Sequence, residues 1–171
     1  MKLSQILSAS TALFVMLAAS PATAQKPPRG KNCPQNEITL GQAVEKLEVH
    51  RTYKGADGES HIEMTSLPGT TKSFYGGKTT LTQFDLGDPT RVMLVYGHPN
   101  IEIPKHPSPY REIFIILSGS SIMEMPDGTV IERKPGSMVI VEDQGTPGRS
   151  GRAGPCGYVA LDLQFKDPPA K

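Results

Sequence analysis

The run Ile103-Pro104-Lys105-His106-Pro107-Ser108-Pro109-Tyr110-Arg111-Glu112 places an imidazole, a hydroxyl and a carboxylate close together in the chain. Two chemistries suit these groups. An imidazole and a carboxylate joined by a third donor ligate a divalent transition metal such as zinc or non-haem iron. Buried together without a metal, the same two groups make an acid/base pair whose pKa values move toward neutrality. His98, in the turn Tyr96-Gly97-His98-Pro99-Asn100, becomes the third donor if the connection folds back on the motif. Ser108 shares a face with His106 in an extended segment, but a neutral hydroxyl is a poor ligand. The candidate ligand-binding set is therefore His98, His106, Ser108 and Glu112. His106 and Glu112 are the candidates for catalysis or metal binding.

The bland alternatives are equally concrete. A histidine between prolines often just hydrogen-bonds backbone. Glu112 alternates with Phe114 and Ile116, so it points to their face and must find a partner or take up a proton there. Arg91, Lys105, Arg111 and His106 are the available partners, and a His106–Glu112 hydrogen bond needs no metal. His50 and His61 fall on the polar face of an early hairpin and read as solvated. The glycine turns around 119–121 and 145–151 lack the strand-to-helix junction of a phosphate loop. No base stands near Ser118, Ser120 or Ser121, which removes nucleophilic catalysis. Met93, Met123, Met125 and Met138 are scattered through strand-like runs and read as core filler. Arg149 and Arg152 read as solvated residues of a flexible loop, able to draw in an anion.

The elements that must position these residues are strands. Thr39 caps a short expected helix whose Leu40, Val44 and Leu47 share a face. Two strand-like runs then flank Gly55-Ala56-Asp57-Gly58. With Ala56 and Asp57 at the turn centre, Arg51 pairs with Ile62 and Thr52 with His61. Residues 66–78 read as a loop. TTLTQFDLG, RVMLVYG, IEIPKH, EIFIILSG, SIMEM, TVIERK, SMVIVED and YVALDLQF follow as strands, several separated by turns such as Pro126-Asp127-Gly128 and Lys134-Pro135-Gly136. Many short strands with regular turns predict an all-β sandwich or barrel. EIFIILS and SMVIVE are apolar on both faces, so both must be covered from two sides.

The spacing H-x-S-x3-E-x6-G over His106, Ser108, Glu112 and Gly119 resembles the first motif of the cupin family. Pro126 to Gly136 resembles the inter-motif turn, and SMVIVEDQGTPG the second motif. The likeness covers most of residues 48–165. It implies a small cupin-type antiparallel β-barrel, a jelly roll. It also implies a ligand site at the barrel mouth and homodimers paired through outer β faces. A metal-binding cupin uses three histidines and a glutamate. Here Ser108 replaces the second histidine, Gly97 lies further upstream than the motif glycine, and Gly148-Arg149 stands near the place of the last histidine.

Residues 1–24 read as a signal peptide, with a lysine at position 2, a short apolar run and the small-x-small site Ala22-Thr23-Ala24. The mature chain is then periplasmic or secreted. Residues 25–36 read as a flexible Pro-rich lead-in, 37–166 as one domain and 167–171 as a disordered tail. The leader carries one of the 18 basic residues and none of the 17 acids, leaving the mature chain balanced. Without a basic run, nucleic acid and anionic membrane are not the expected partners. In an exported chain the two cysteines, Cys33 and Cys156, are expected to pair. The loop so closed is worth roughly 4–5 kcal/mol on the chain-entropy account. The functional expectations are three: an exported barrel binding a small polar molecule without a complete metal site; a metal-dependent dioxygenase, isomerase or lyase with a reduced ligand set; or a structural dimer module.

Overall fold

The computed structural model describes residues 46–166. Nine strands form one mixed sheet: β1 (Lys46–Lys54), β2 (Ser60–Phe74), β3 (Thr79–Phe84), β4 (Arg91–Gly97), β5 (Glu102–His106), β6 (Arg111–Glu124), β7 (Val130–Arg133), β8 (Met138–Glu142) and β9 (Arg149–Phe165). The order is β3-β2-β1-β8-β6-β9-β4, with β5 on β9 and β7 on β6. All pairings are antiparallel except β1 with β8. The fold is all-β, but the expected closed antiparallel barrel is corrected: the sheet is mixed and open. No helix occurs among the described residues, and Leu47 of the expected helix lies in β1. Thr39, Leu40 and Val44 lie outside them, as do the signal peptide, the lead-in and the tail.

The first hairpin differs from expectation by one residue. Thr52 faces Ile62, and Arg51 faces Glu63. The cause is the turn. Gly58 sits at φ 84°, and the Gly55 amide donates to the Glu59 carbonyl at 2.9 Å. That is a three-residue loop with a left-handed glycine, not a two-residue turn. The odd loop length shifts the ladder and puts Thr52, Ser60 and Ile62 inward. Two supposed loops are also strands. β2 continues through residues 66–74, and β9 takes in the glycine-rich segment 149–157.

β6 and β9 are the long strands of the fold. Their ladder shifts register between Ile116 and Ser121, where Gly119 and Gly157 take positive φ and meet backbone to backbone. A Cβ on Gly119 would run into the Gly157 carbonyl. The interruption divides β6 into an N-terminal part paired with β8 and a C-terminal part paired with β7. EIFIILSG and SIMEM are thus one strand, not two.

Alternation then sorts the side chains. Val49, Ile113, Ile140, Leu163 and Phe165 cluster on the outer face. Glu142 on that face accepts from Arg51 Nε and Arg111 Nε, both at 2.7 Å. The inner face carries Ile116, Tyr158 and Ala160 in one cluster and Met123, Met125, Val139 and Val141 in another. The double coverage expected for β6 and β8 follows from their central positions and these two apolar faces.

Candidate ligand cavity

Glu112 and Phe114 stand on the inner face of β6, because each is two residues from the next inward position, ending at the fully buried Ile116. From the facing side, β7 pairs with the C-terminal part of β6 so that Arg133 lies opposite Ser121 and Ile131 opposite Met123. Arg133 therefore shares the face of buried Met123. β9 brings Arg149, Gly151 and Ala153 to the same side, with Gly151 opposite Met123. A Cβ on Gly151 would meet the Ile122 carbonyl, so the strands approach closely only because this position is glycine.

These residues border a cavity of about 160 Å³, partly open to solvent and lined by Ile103, His106, Glu112, Phe114, Arg133, Arg149, Ser150, Gly151 and Tyr158. Its charges are held in two different ways. Arg149 is 8% exposed, and its Nη1 donates to both Asp143 oxygens at 3.1 and 3.0 Å. Asp143 is fully buried and also accepts from the Ser60 hydroxyl at 2.7 Å. Thr146 shares that hydroxyl's hydrogen bond at 2.6 Å and donates to the Asp143 carbonyl at 2.8 Å. The Arg149 Nη2 lies 3.7 Å from Glu112. Burial pushes the Glu112 carboxyl above its ordinary value, the Asp162 carboxylate adds to this, and Arg149 opposes it.

Arg133 has no such partner. It is 8% exposed, its Nε has no hydrogen-bond partner, and no carboxylate pairs with it among the described residues. The guanidinium lies over the Phe114 ring at 5.2 Å. Burial, with the like charge of Arg149, lowers its pKa to about 10, opposed by Tyr158 and Glu112. Burial also pushes the Tyr158 phenol up, opposed by Arg133. Besides Glu59 Oε2, three more buried polar atoms lack hydrogen-bond partners: Thr52 Oγ1, Ser121 Oγ and Asp162 Oδ1. Register places all three on the inner face with Glu112, Phe114 and Arg133. Buried polar groups are normally satisfied, so four orphans facing inward mark a polar interior.

Of the residues expected at the site, His106 and Glu112 line this cavity. No hydrogen bond joins them; His106 is exposed, and its Nδ1 lies 2.8 Å from the Pro104 carbonyl. Ser108 is buried; its hydroxyl donates to the Tyr110 carbonyl at 2.9 Å and also favours the charged form of Glu112. His98 is elsewhere, packed edge-on against Tyr96 at 4.9 Å. The metal set of His98, His106 and Glu112 is thus not assembled, and no group of three or more His, Cys, Asp or Glu side chains converges among the described residues. The donors do not fit a divalent ion, because a guanidinium already stands beside Glu112. Cys156 lies on β9 and is not free; Cys33 lies outside the described residues.

The sequence reading missed Arg133, Asp143, Tyr158 and Asp162, and took Arg149 for a solvated loop residue. Arg152, its companion in that reading, is exposed. A signal for Arg133 existed: it alternates with Ile131 and so belongs to the apolar side of its strand.

No protein-family model matches the chain. No curated protein matches it. Among solved structures, it is similar to the DMSP lyase DddQ from Ruegeria pomeroyi DSS-3, at 19% identity and TM-score 0.39, over 61% of this chain and 49% of that one. The likeness thus spans about half the length of that enzyme's chain, and at this level it identifies neither a ligand nor a reaction.

Proposed function

We propose that this chain is an exported cupin-like protein that binds a small polar molecule in the cavity between Glu112, Arg133, Arg149 and Tyr158, without a complete metal site. One observation carries the reading. The positive charge beside Glu112 is a buried guanidinium held by Asp143. The cavity lining combines charged side chains with aromatic rings, as small-molecule sites combine a few polar groups with an apolar wall. Cys33 and Cys156 pair in the exported form. The mature chain is a homodimer, supported by the edge strand β4, whose Val92, Leu94 and Tyr96 are exposed beside Leu161 and Leu163 of the outer face.

The test uses the full chain, exported and processed. Metal content is measured for wild type, His106→Ala and Glu112→Ala, alongside melting temperature in a panel of small polar solutes and sedimentation velocity. Expected are no stoichiometric metal, a saturable rise in melting temperature with at least one solute, and a dimer. One transition metal per chain, lost in both variants, would replace this reading with the metal-dependent enzyme.

A further inference from the structure

The cavity's two guanidiniums are not equally partnered. Arg149 is answered by Asp143 at 3.0 Å and by Glu112 at 3.7 Å. Arg133 has no ion pair or hydrogen bond, only a longer-range attraction to Glu112: it is a nine-tenths buried guanidinium with an unpartnered Nε, lining the same cavity. A buried charge normally has a partner, because removing it from water is costly. The Phe114 ring at 5.2 Å fixes the guanidinium's position but supplies no negative charge. The two guanidiniums are matched in number by Asp143 and Glu112, but both carboxylates go to Arg149, so Arg133 faces the cavity without a direct partner.

We propose that Arg133 is the anchor of a monoanion site, and that its ligand is a small monocarboxylate. The inference rests on the cavity-binding reading above and names the ligand class for it. A guanidinium presents planar parallel donors that match a carboxylate's two oxygens. A single guanidinium without a direct carboxylate partner suits a monoanion; a phosphate dianion would need a second free cation, and Arg149 is already engaged. The space of about 160 Å³ is comparable to cavities that take a benzene-sized molecule, which suits a ligand of a few non-hydrogen atoms. Ile103, Phe114 and Tyr158 give its remaining part an apolar wall.

The test is calorimetric titration of the full chain with propionate and lactate, their uncharged amides propionamide and lactamide, and inorganic phosphate. Wild type is compared with Arg133→Met and Arg133→Lys. The expected result is one-to-one binding of at least one carboxylate. Its amide and phosphate bind at least tenfold more weakly. Arg133→Met loses at least tenfold in affinity, and Arg133→Lys loses less. The ligand-free Arg133→Met protein melts no lower than wild type, because a buried charge without a partner has been removed. Amides binding as well as carboxylates would overturn the charge assignment and leave the cavity reading standing. Preference for phosphate, unchanged carboxylate binding by Arg133→Met, or a much lower melting temperature for that variant would also overturn it. Binding of no probe to wild type would sink both readings.

Discussion

Replacing Asp143 by alanine tests the charge arrangement at its most buried point. Asp143 has no exposed surface and accepts two hydrogen-bond contacts from Arg149 and one from Ser60. Removing one member of a buried ion pair costs about 3–5 kcal/mol, because the other is left uncompensated. Solvent screening does not reduce this, since the Arg149 side chain is itself only 9% exposed. Glu112, 3.7 Å from the same guanidinium, supplies partial compensation and puts the expected loss near the lower end. Ser60 keeps Thr146 as a partner, so its hydroxyl adds little. A loss of about 3 kcal/mol is a large share of the 5–15 kcal/mol typical of a domain. It corresponds to a fall of about 10–15 °C in melting temperature for a unit of this size. Urea denaturation followed by circular dichroism at pH 7 measures it. Arg149→Met and the double variant complete a cycle whose expected coupling is about 2 kcal/mol. A loss below about 1 kcal/mol in Asp143→Ala, or simple additivity in the double variant, would refute the pair's role.

Two further outcomes follow from particular contacts. Burial pushes the Glu142 carboxyl up, but hydrogen bonds from Arg111 and Arg51 outweigh it and hold the group below its ordinary value of 4.5. A depressed folded-state pKa gives stability that is present above the unfolded value and lost as pH falls through the folded one. Glu142→Gln is therefore expected to cost about 1 kcal/mol at pH 7, the pair being partly solvated, with the gap to wild type closing below pH 4 in acid titrations of the urea midpoint. Gly148 and Gly128 both have φ near 85° (87° and 84°), but a Cβ at 148 would strike the His106–Pro107 backbone while one at 128 meets open space. Gly128→Ala should lose about 1 kcal/mol for backbone strain alone, and Gly148→Ala clearly more; equal losses would show that the 106–148 contact is not tight.

The strand sequence was legible because alternation is a local property. It assigned the inward face of Glu112, Phe114 and Ile116 without any tertiary information. What it could not carry was pairing at a distance. The parallel contact of β1 with β8 joins residues some ninety positions apart and leaves no local mark. The hairpin register failed for a different reason: Asp57-Gly58 fits both a two-residue and a three-residue turn, and only the left-handed Gly58 distinguishes them. Glycine density misled over 149–157, where glycines permit close strand approach and do not loosen the chain.

The site was read through its histidines, and its buried charges were missed. Metal chemistry is written in sequence as spaced donors, so His106 and Glu112 attract notice at once. A buried arginine is written only as a polar residue in an apolar phase, which is the pattern of Ile131 and Arg133 on β7. Such a residue is costly unless paired. Arg149 shows the paired solution, with Asp143 supplied from the turn after β8. For Arg133 the fold supplies an aromatic face and two orphan neighbours on the same side, Ser121 Oγ and Asp162 Oδ1, but no carboxylate within ion-pair distance among the described residues. A core selected for stability alone would place methionine or leucine at position 133. The charge is retained at a cavity wall, where an incoming anion is the group that completes it.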